Sequence, residues 1–106
     1  MSQFLELSRF TVKPENVDEF LARRPAVLDV IRRRYPGFVS AYLARLEGDM
    51  WVDVAFWESI EQCRVAMDEV PGIPEVASWL ALIGEDVSME QAEVVQPFPA
   101  AAAATR

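Results

Sequence analysis

In the stretch Trp51-Val52-Asp53-Val54-Ala55-Phe56-Trp57, a single carboxylate alternates with two indoles. In an extended strand, alternate residues share a face, so Trp51, Asp53, Ala55 and Trp57 stand together while Val52, Val54 and Phe56 form an opposite face that reads as plain core. An acid among aromatics reads as the wall of a pocket. Burial disfavours the ionised carboxyl group, which raises its pKa and suits it to accept a proton from a weakly acidic hydroxyl. The competing reading is structural: Asp53 pairs with an arginine such as Arg9 or Arg45 on a neighbouring strand. Trp51 and Trp57 fit the walls of a slot for an aromatic ligand, and equally fit core or subunit contacts. Glu6 and Ser8 alternate with Phe4 and Phe10 near the N-terminus, which makes them candidates for the same cavity. Farther along, Cys63, Met67 and Trp79 are candidate ligand contacts, although each also fits a packed core. Arg64 and Arg9 are available to steady an anion.

Several chemistries lack their residues. The sequence contains no histidine, which removes Ser-His-Asp and Cys-His nucleophilic sites, histidine zinc sites and a proximal haem histidine. Its four glycines, Gly37, Gly48, Gly72 and Gly84, are isolated, so no phosphate-cradling loop or dinucleotide motif is present. No cofactor or metal is expected. Cys63 is the single cysteine and has no partner for an internal disulfide. With no signal-peptide pattern after Met1, the expected location is the cytoplasm. No apolar run reaches the roughly 20 residues of a membrane span. The net charge is −7, divided between a basic first half (eight basic and five acidic residues in 1–46) and an acidic second half (two basic and twelve acidic in 47–106). That balance argues against nucleic acid as a partner. The Arg32-Arg33-Arg34 run fits the last turn of a helix, where cations complement the dipole.

The elements that must position these residues follow from periodicity. Strands are expected near 4–12, 38–46, 50–57 and 87–95. Asn16-Val17-Asp18-Glu19 and Ser59-Ile60-Glu61-Gln62 both read as capping boxes opening helices. Apolar residues at Val17, Phe20, Leu21, Val27, Leu28 and Ile31 make one helical face, which Pro25 is expected to kink or split. After Ser59, Ile60, Cys63, Met67 and Val70 form a second stripe. Pro71-Gly72-Ile73-Pro74 interrupts it, and a helix resumes over 75–83. Glu47-Gly48-Asp49 is a hairpin turn. The order β-α-β-β-α-β is an α+β, ferredoxin-like topology with a four-stranded antiparallel sheet and both helices on one face. The domain is expected to span 1–96, with 97–106 as a C-terminal tail. The uncovered face is expected to carry Trp51 and Trp57 and to close against a second copy as a homodimer, with a cavity in each subunit.

The residues Tyr35-Pro36-Gly37-Phe38-Val39-Ser40-Ala41, the Gly48-Asp49 turn and Val54-Ala55-Phe56-Trp57-Glu58-Ser59 resemble the antibiotic biosynthesis monooxygenase superfamily. The resemblance implies a dimeric α+β barrel over roughly residues 4–96. Some members of that family oxidise phenols of polycyclic polyketides to quinones with O2 and no cofactor, others degrade haem, and others have no known activity. The quinone-forming members place an asparagine and a tryptophan four residues apart on the third strand, at the positions of Asp53 and Trp57 here. Their tyrosine early in the second helix falls at Cys63. The haem-degrading members use an asparagine, a tryptophan and a histidine at positions that here are Ser8, Ala66 and Val76, so all three differ.

The resemblance implies a cofactor-free monooxygenase acting on a phenolic or hydroquinone-type aromatic. Asp53 and Trp57 would be catalytic, and Glu6, Ser8, Trp51, Cys63, Arg64, Met67 and Trp79 would bind the substrate. Triplet O2 does not attack closed-shell organics directly, whereas an electron-rich phenolate can reduce it by one electron. The protein would need only to bind the phenol, take its proton and exclude water. The alternative is a non-catalytic dimeric small-molecule-binding or stress-response barrel. A ligand site requires open space around Asp53 of about 300 Å³ or more, the lower end of the usual range.

Overall fold

The computed structural model describes residues 3–99; Met1, Ser2 and the alanine-rich segment at 100–106 lie outside the described residues. The element order is β1 (Phe4–Val12), α1 (Val17–Arg34), β2 (Phe38–Arg45), β3 (Met50–Trp57), α2 (Ile60–Glu69), α3 (Pro74–Leu80) and β4 (Ile83–Glu93). The sheet order is β2-β3-β1-β4 and every neighbouring pair is antiparallel. This is the ferredoxin-like α+β arrangement that the strand and helix order implies.

Local signals operate at most of the boundaries. Ser59 caps α2, its hydroxyl accepting from the Gln62 backbone N–H at 3.2 Å. The other expected capping box does not form. Asn16 donates instead to the Leu82 carbonyl at 3.3 Å, tying the start of α1 to the chain ahead of β4. The β2–β3 turn needs Gly48, whose φ of 67° is left-handed. At Gly37 the absence of a side chain leaves room for the end of the Gln62 side chain, which would have to shift for a Cβ there.

Two boundaries differ from the sequence reading. α1 runs unbroken through Pro25. The carbonyl that loses its amide partner belongs to Leu21, which is 43% exposed, so water can take the place of the missing donor. The helix expected over 75–83 ends at Leu80, and β4 begins at Ile83 rather than Val87 because Ile83 pairs with Val12. Apolar Ile83 fits either pattern, and only the pairing decides between them.

The faces of the sheet are also the reverse of the sequence reading. Trp51 and Trp57 are 5% and 2% exposed and lie under the helices. The uncovered side carries Val52, Val54 and Phe56 from β3, with Leu5 and Leu7 opposite them on β1 and Tyr42 beside them on β2. Strand periodicity separates two faces but does not say which one the helices choose. Here the larger rings won. Phe20 of α1 is fully buried, stacks on Trp79 at 4.6 Å and approaches Phe10 and Trp51 at 5.7 and 6.1 Å. The Trp79 indole N–H donates to the Phe20 carbonyl at 2.9 Å, which joins α3 to α1.

Because Phe20 fills the junction of α1, α3, β1 and β3, Phe20→Ala should cost about 3–5 kcal/mol of stability, measured by urea unfolding. A loss below about 1 kcal/mol would mean that the helices are held by other contacts.

Candidate functional site

Cross-strand pairing sets residues side by side in rows on the covered face. One row reads Ala41, Ala55, Glu6, Gln91 across β2, β3, β1 and β4. The next row toward the hairpin reads Leu43, Asp53, Ser8, Met89, and the row on the other side sets Phe38 beside Trp57 and Phe4. The two alanines are too short to reach the helices, and an open space remains above them. A cavity of about 270 Å³ lies there, just under the usual lower bound for ligand sites. Its floor includes Ala41, Ala55, Glu6, Ser8, Asp53 and Trp57, and its roof includes Leu28 and Ile31 of α1, Met67 of α2 and Val76 and Trp79 of α3.

Of the residues singled out from sequence, the fold brings Glu6, Ser8, Asp53, Trp57, Met67 and Trp79 to this cavity. It places Trp51, Cys63, Arg64 and Arg9 elsewhere. Trp51 packs on Phe20, with the Arg45 guanidinium 4.5 Å over its ring. Cys63 is fully buried and accepts from Gln91 Nε2 at 3.7 Å. Burial, the Glu6 carboxyl and a smaller opposing effect of Arg64 together move its thiol up to about 11, which leaves it a neutral packing group. Arg64 is exposed. Arg9 lies on the uncovered face, 4.0 Å from Glu90. Neither cation can steady an anion in the cavity.

Asp53 does hold an arginine, but from a helix rather than from a strand. Arg24 of α1 reaches down to the sheet and forks across both carboxylate oxygens, Nη2 to Oδ1 at 2.8 Å and Nε to Oδ2 at 3.3 Å. Both side chains are largely shielded. Burial pushes the Asp53 pKa upward, and the guanidinium opposes this without fully cancelling it. Sequence reasoning missed Arg24, yet its position gave a signal. It lies four residues after Phe20 and three before Val27, the two buried residues of α1, so it sits on the inward stripe.

Glu6 has a different environment. It is 8% exposed and no cation pairs with it among the described residues. Burial first, and the Asp53 carboxylate second, raise its pKa from 4.5 to about 7, with small opposing effects from the Trp57 indole and the Ser8 hydroxyl. The Trp57 Nε1–H is buried beside it without a hydrogen-bond partner of good geometry. The site therefore holds two acids of different character: one neutralised by a fork, the other unpaired and poised near neutrality. No cluster of three or more metal-ligating side chains occurs among the described residues. Among the same residues, no helix is long and apolar enough to cross a membrane.

Fold and site together define a ferredoxin-like domain with an acid-bearing apolar cavity. The family model for the antibiotic biosynthesis monooxygenase domain matches residues 4–68, more than half of the sequence, and the chain belongs to that family. Solved structures agree. SnoaB of Streptomyces nogalater, described as a cofactor-independent oxygenase, is 26% identical with a TM-score of 0.68, the match covering 93% of this chain and 99% of that one. A putative antibiotic biosynthesis monooxygenase from Chloroflexus aurantiacus is 18% identical with a TM-score of 0.65, covering 91% and 96%. Rv0793 of Mycobacterium tuberculosis is 22% identical with a TM-score of 0.62, covering 92% and 99%. Comparison with curated proteins finds no significant match.

The raised pKa of Glu6 makes stability depend on pH. The unfolded chain releases this proton near 4.5 and the folded chain near 7, so the folded state holds the extra proton between those values. Stability contributed by Glu6 is therefore full below about pH 4.5 and falls as pH rises to about 7, by on the order of 3 kcal/mol. Glu6→Gln should keep a constant offset from the parent below about pH 4.5 and gain on it as pH rises to about 7, levelling off above, measured as the difference in urea midpoints. A difference that does not change with pH would show that Glu6 ionises as an exposed acid.

Proposed function

We propose that the protein is a cofactor-independent monooxygenase that oxidises a phenolic or hydroquinone-type aromatic with O2, working as a homodimer. The observation that carries this reading is the apolar cavity over Ala41 and Ala55, with Glu6 and Asp53 on its floor. A flat ring suits a space walled by Phe38, Trp57 and Trp79 and floored by methyl groups. Ionising a ring hydroxyl there raises the electron density that O2 must accept, and the surrounding apolar side chains keep water out. Membership of the monooxygenase family and the likeness to a cofactor-independent oxygenase support the same reaction class.

The homodimer is supported by the uncovered face. Leu5, Leu7, Val52, Val54 and Phe56 are only partly shielded there, and Tyr42 is 65% exposed with its ring 6.1 Å from that of Phe56. A second sheet laid across them removes this apolar area from water, at about 25 cal/mol for each Å². The motive thus shifts from the tryptophans to the valine, leucine and phenylalanine side chains of the opposite face.

A binding-only role is the second reading. It is favoured by the engagement of both Asp53 oxygens with Arg24, which leaves that acid less free for proton transfer.

Purified protein, dialysed against a chelator, should speed the conversion of 1,8-dihydroxyanthrone to the quinone with uptake of O2. Ala55→Leu should abolish that activity while leaving the circular dichroism spectrum intact, because the larger side chain fills the floor of the cavity. Saturable binding with no O2 uptake would establish the binding-only reading. In sedimentation at micromolar concentration the protein should have twice the 12.0 kDa chain mass. A monomer under those conditions would refute the dimer, and Val54→Lys should convert a dimer to monomers.

A further inference from the structure

We propose that Glu6 is the proton acceptor of this cavity and that the Arg24–Asp53 pair is a fixed positioning element beside it. The proposal rests on the oxidation reading above for its substrate class, a neutral phenol, but assigns a step that the reading leaves open.

Four features of the geometry support the assignment. Glu6 stands in the same cross-strand row as Ala55 and Ala41, so its carboxyl group borders the hollow directly. A ring lying over the two alanines directs an edge hydroxyl toward Glu6. Asp53 stands one row away, opposite Ser8, with both of its oxygens held by one guanidinium. To accept a proton it would have to surrender part of a forked ion pair, whose charge-assisted bonds favour the ionised acid. Glu6 surrenders nothing of that kind. Finally, the orphaned Trp57 Nε1–H beside Glu6 gives the ionised carboxylate a donor to accept from.

The charged and titratable groups around Glu6 come from each element packed on it. β3 contributes Asp53, α1 contributes Arg24 through Asp53, and α2 contributes Cys63, with Arg64 on the next residue. β4 contributes the uncharged Gln91 directly opposite and Asp86 farther along the cavity. α3 lines the roof with Val76, Trp79 and Leu80, none of which titrates in this range. Asp53 is balanced by Arg24, so a second negative charge on Glu6 faces no cation of its own. Transfer of the phenolic proton relieves this. The substrate O–H bond breaks, an O–H bond forms on Glu6, and the negative charge moves to the ring oxygen and its π system. The phenolate then passes an electron to dioxygen, the oxidant in solution. Arg24 holds Asp53 still, and Asp53 with Ser8 limits where the ring edge can sit.

The test uses two readouts on the parent, Glu6→Gln and Asp53→Asn. The first is binding of 2-naphthol, a phenol that stays neutral to about pH 9, followed by its fluorescence between about pH 5.5 and 8.5. Affinity in the parent should rise as pH passes about 7, when Glu6 becomes able to accept the hydroxyl proton. That rise should vanish in Glu6→Gln and persist in Asp53→Asn. The second is turnover of 1,8-dihydroxyanthrone. Glu6→Gln should lower kcat by about 10²–10⁴, the usual worth of a general base, whereas Asp53→Asn should act mainly on KM. An inflection that follows Asp53 instead of Glu6, a pH-flat affinity in the parent, or full kcat in Glu6→Gln would overturn the assignment. If 2-naphthol binding tracks Glu6 but no hydroxyanthrone is oxidised, the oxidation reading fails and the proton acceptor stands. If oxidation continues unchanged in Glu6→Gln, the reverse holds.

Discussion

The stack of Phe20 on Trp79, closed by the hydrogen bond from the Trp79 indole to the Phe20 carbonyl, fixes the height of the helical layer above the sheet. Phe10 and Trp51 complete the cluster from below. Rings of this size hold the helices well clear of the strands near the hairpin end. Where the sheet then offers only alanine, at Ala41 and Ala55, side chains from above and below cannot meet and a cavity is left. The hollow is thus a consequence of uneven side-chain length under a roof whose height is set elsewhere.

Within that hollow, the two carboxyl groups show how position decides chemistry. Their strands are neighbours and both acids face the helices. Asp53 lies beneath an arginine that reaches from the inward stripe of α1, and its charge is compensated there. Glu6 lies one row farther along, beyond that compensation, and burial drives it toward neutrality. Shielding from water is similar for the two; the difference is the fork. A fixed guanidinium and an unpaired acid on one floor give the cavity polarity without filling it.

The exposed side of the sheet has a different character. Its apolar residues are of moderate size, and β4 at its edge is studded with Glu85, Asp86, Glu90 and Glu93, which discourages edge-to-edge pairing. This leaves the apolar face, not the edge, as the surface the proposed subunit contact would use. The same alternation that points Trp51, Asp53 and Trp57 inward points Val52, Val54 and Phe56 outward, so the cavity and the proposed subunit contact share one strand and cannot vary independently.

The sequence by itself determined the element order, the hairpin at Gly48, the start of α2 at Ser59 and the pairing of Glu6, Ser8, Asp53 and Trp57 as residues of common faces. These depend on periodicity and local turn chemistry, which neighbouring residues encode. The motif around Pro36, Gly37 and Phe38 also carried the family likeness. Only the tertiary structure decided which face of the sheet the helices cover, because both faces of β3 are apolar and the choice rests on how Phe20 and Trp79 fit against Trp51. It alone decided that Asp53 takes Arg24, since an arginine 29 residues away in sequence meets it only after α1 has docked. It also decided that Pro25 lies within an unbroken helix, where the Leu21 turn is exposed enough for water to replace the missing amide. The distinct character of Glu6 belongs to the same class. It depends on what is absent around one carboxyl group, and three-dimensional neighbours, not spacing along the chain, define that absence.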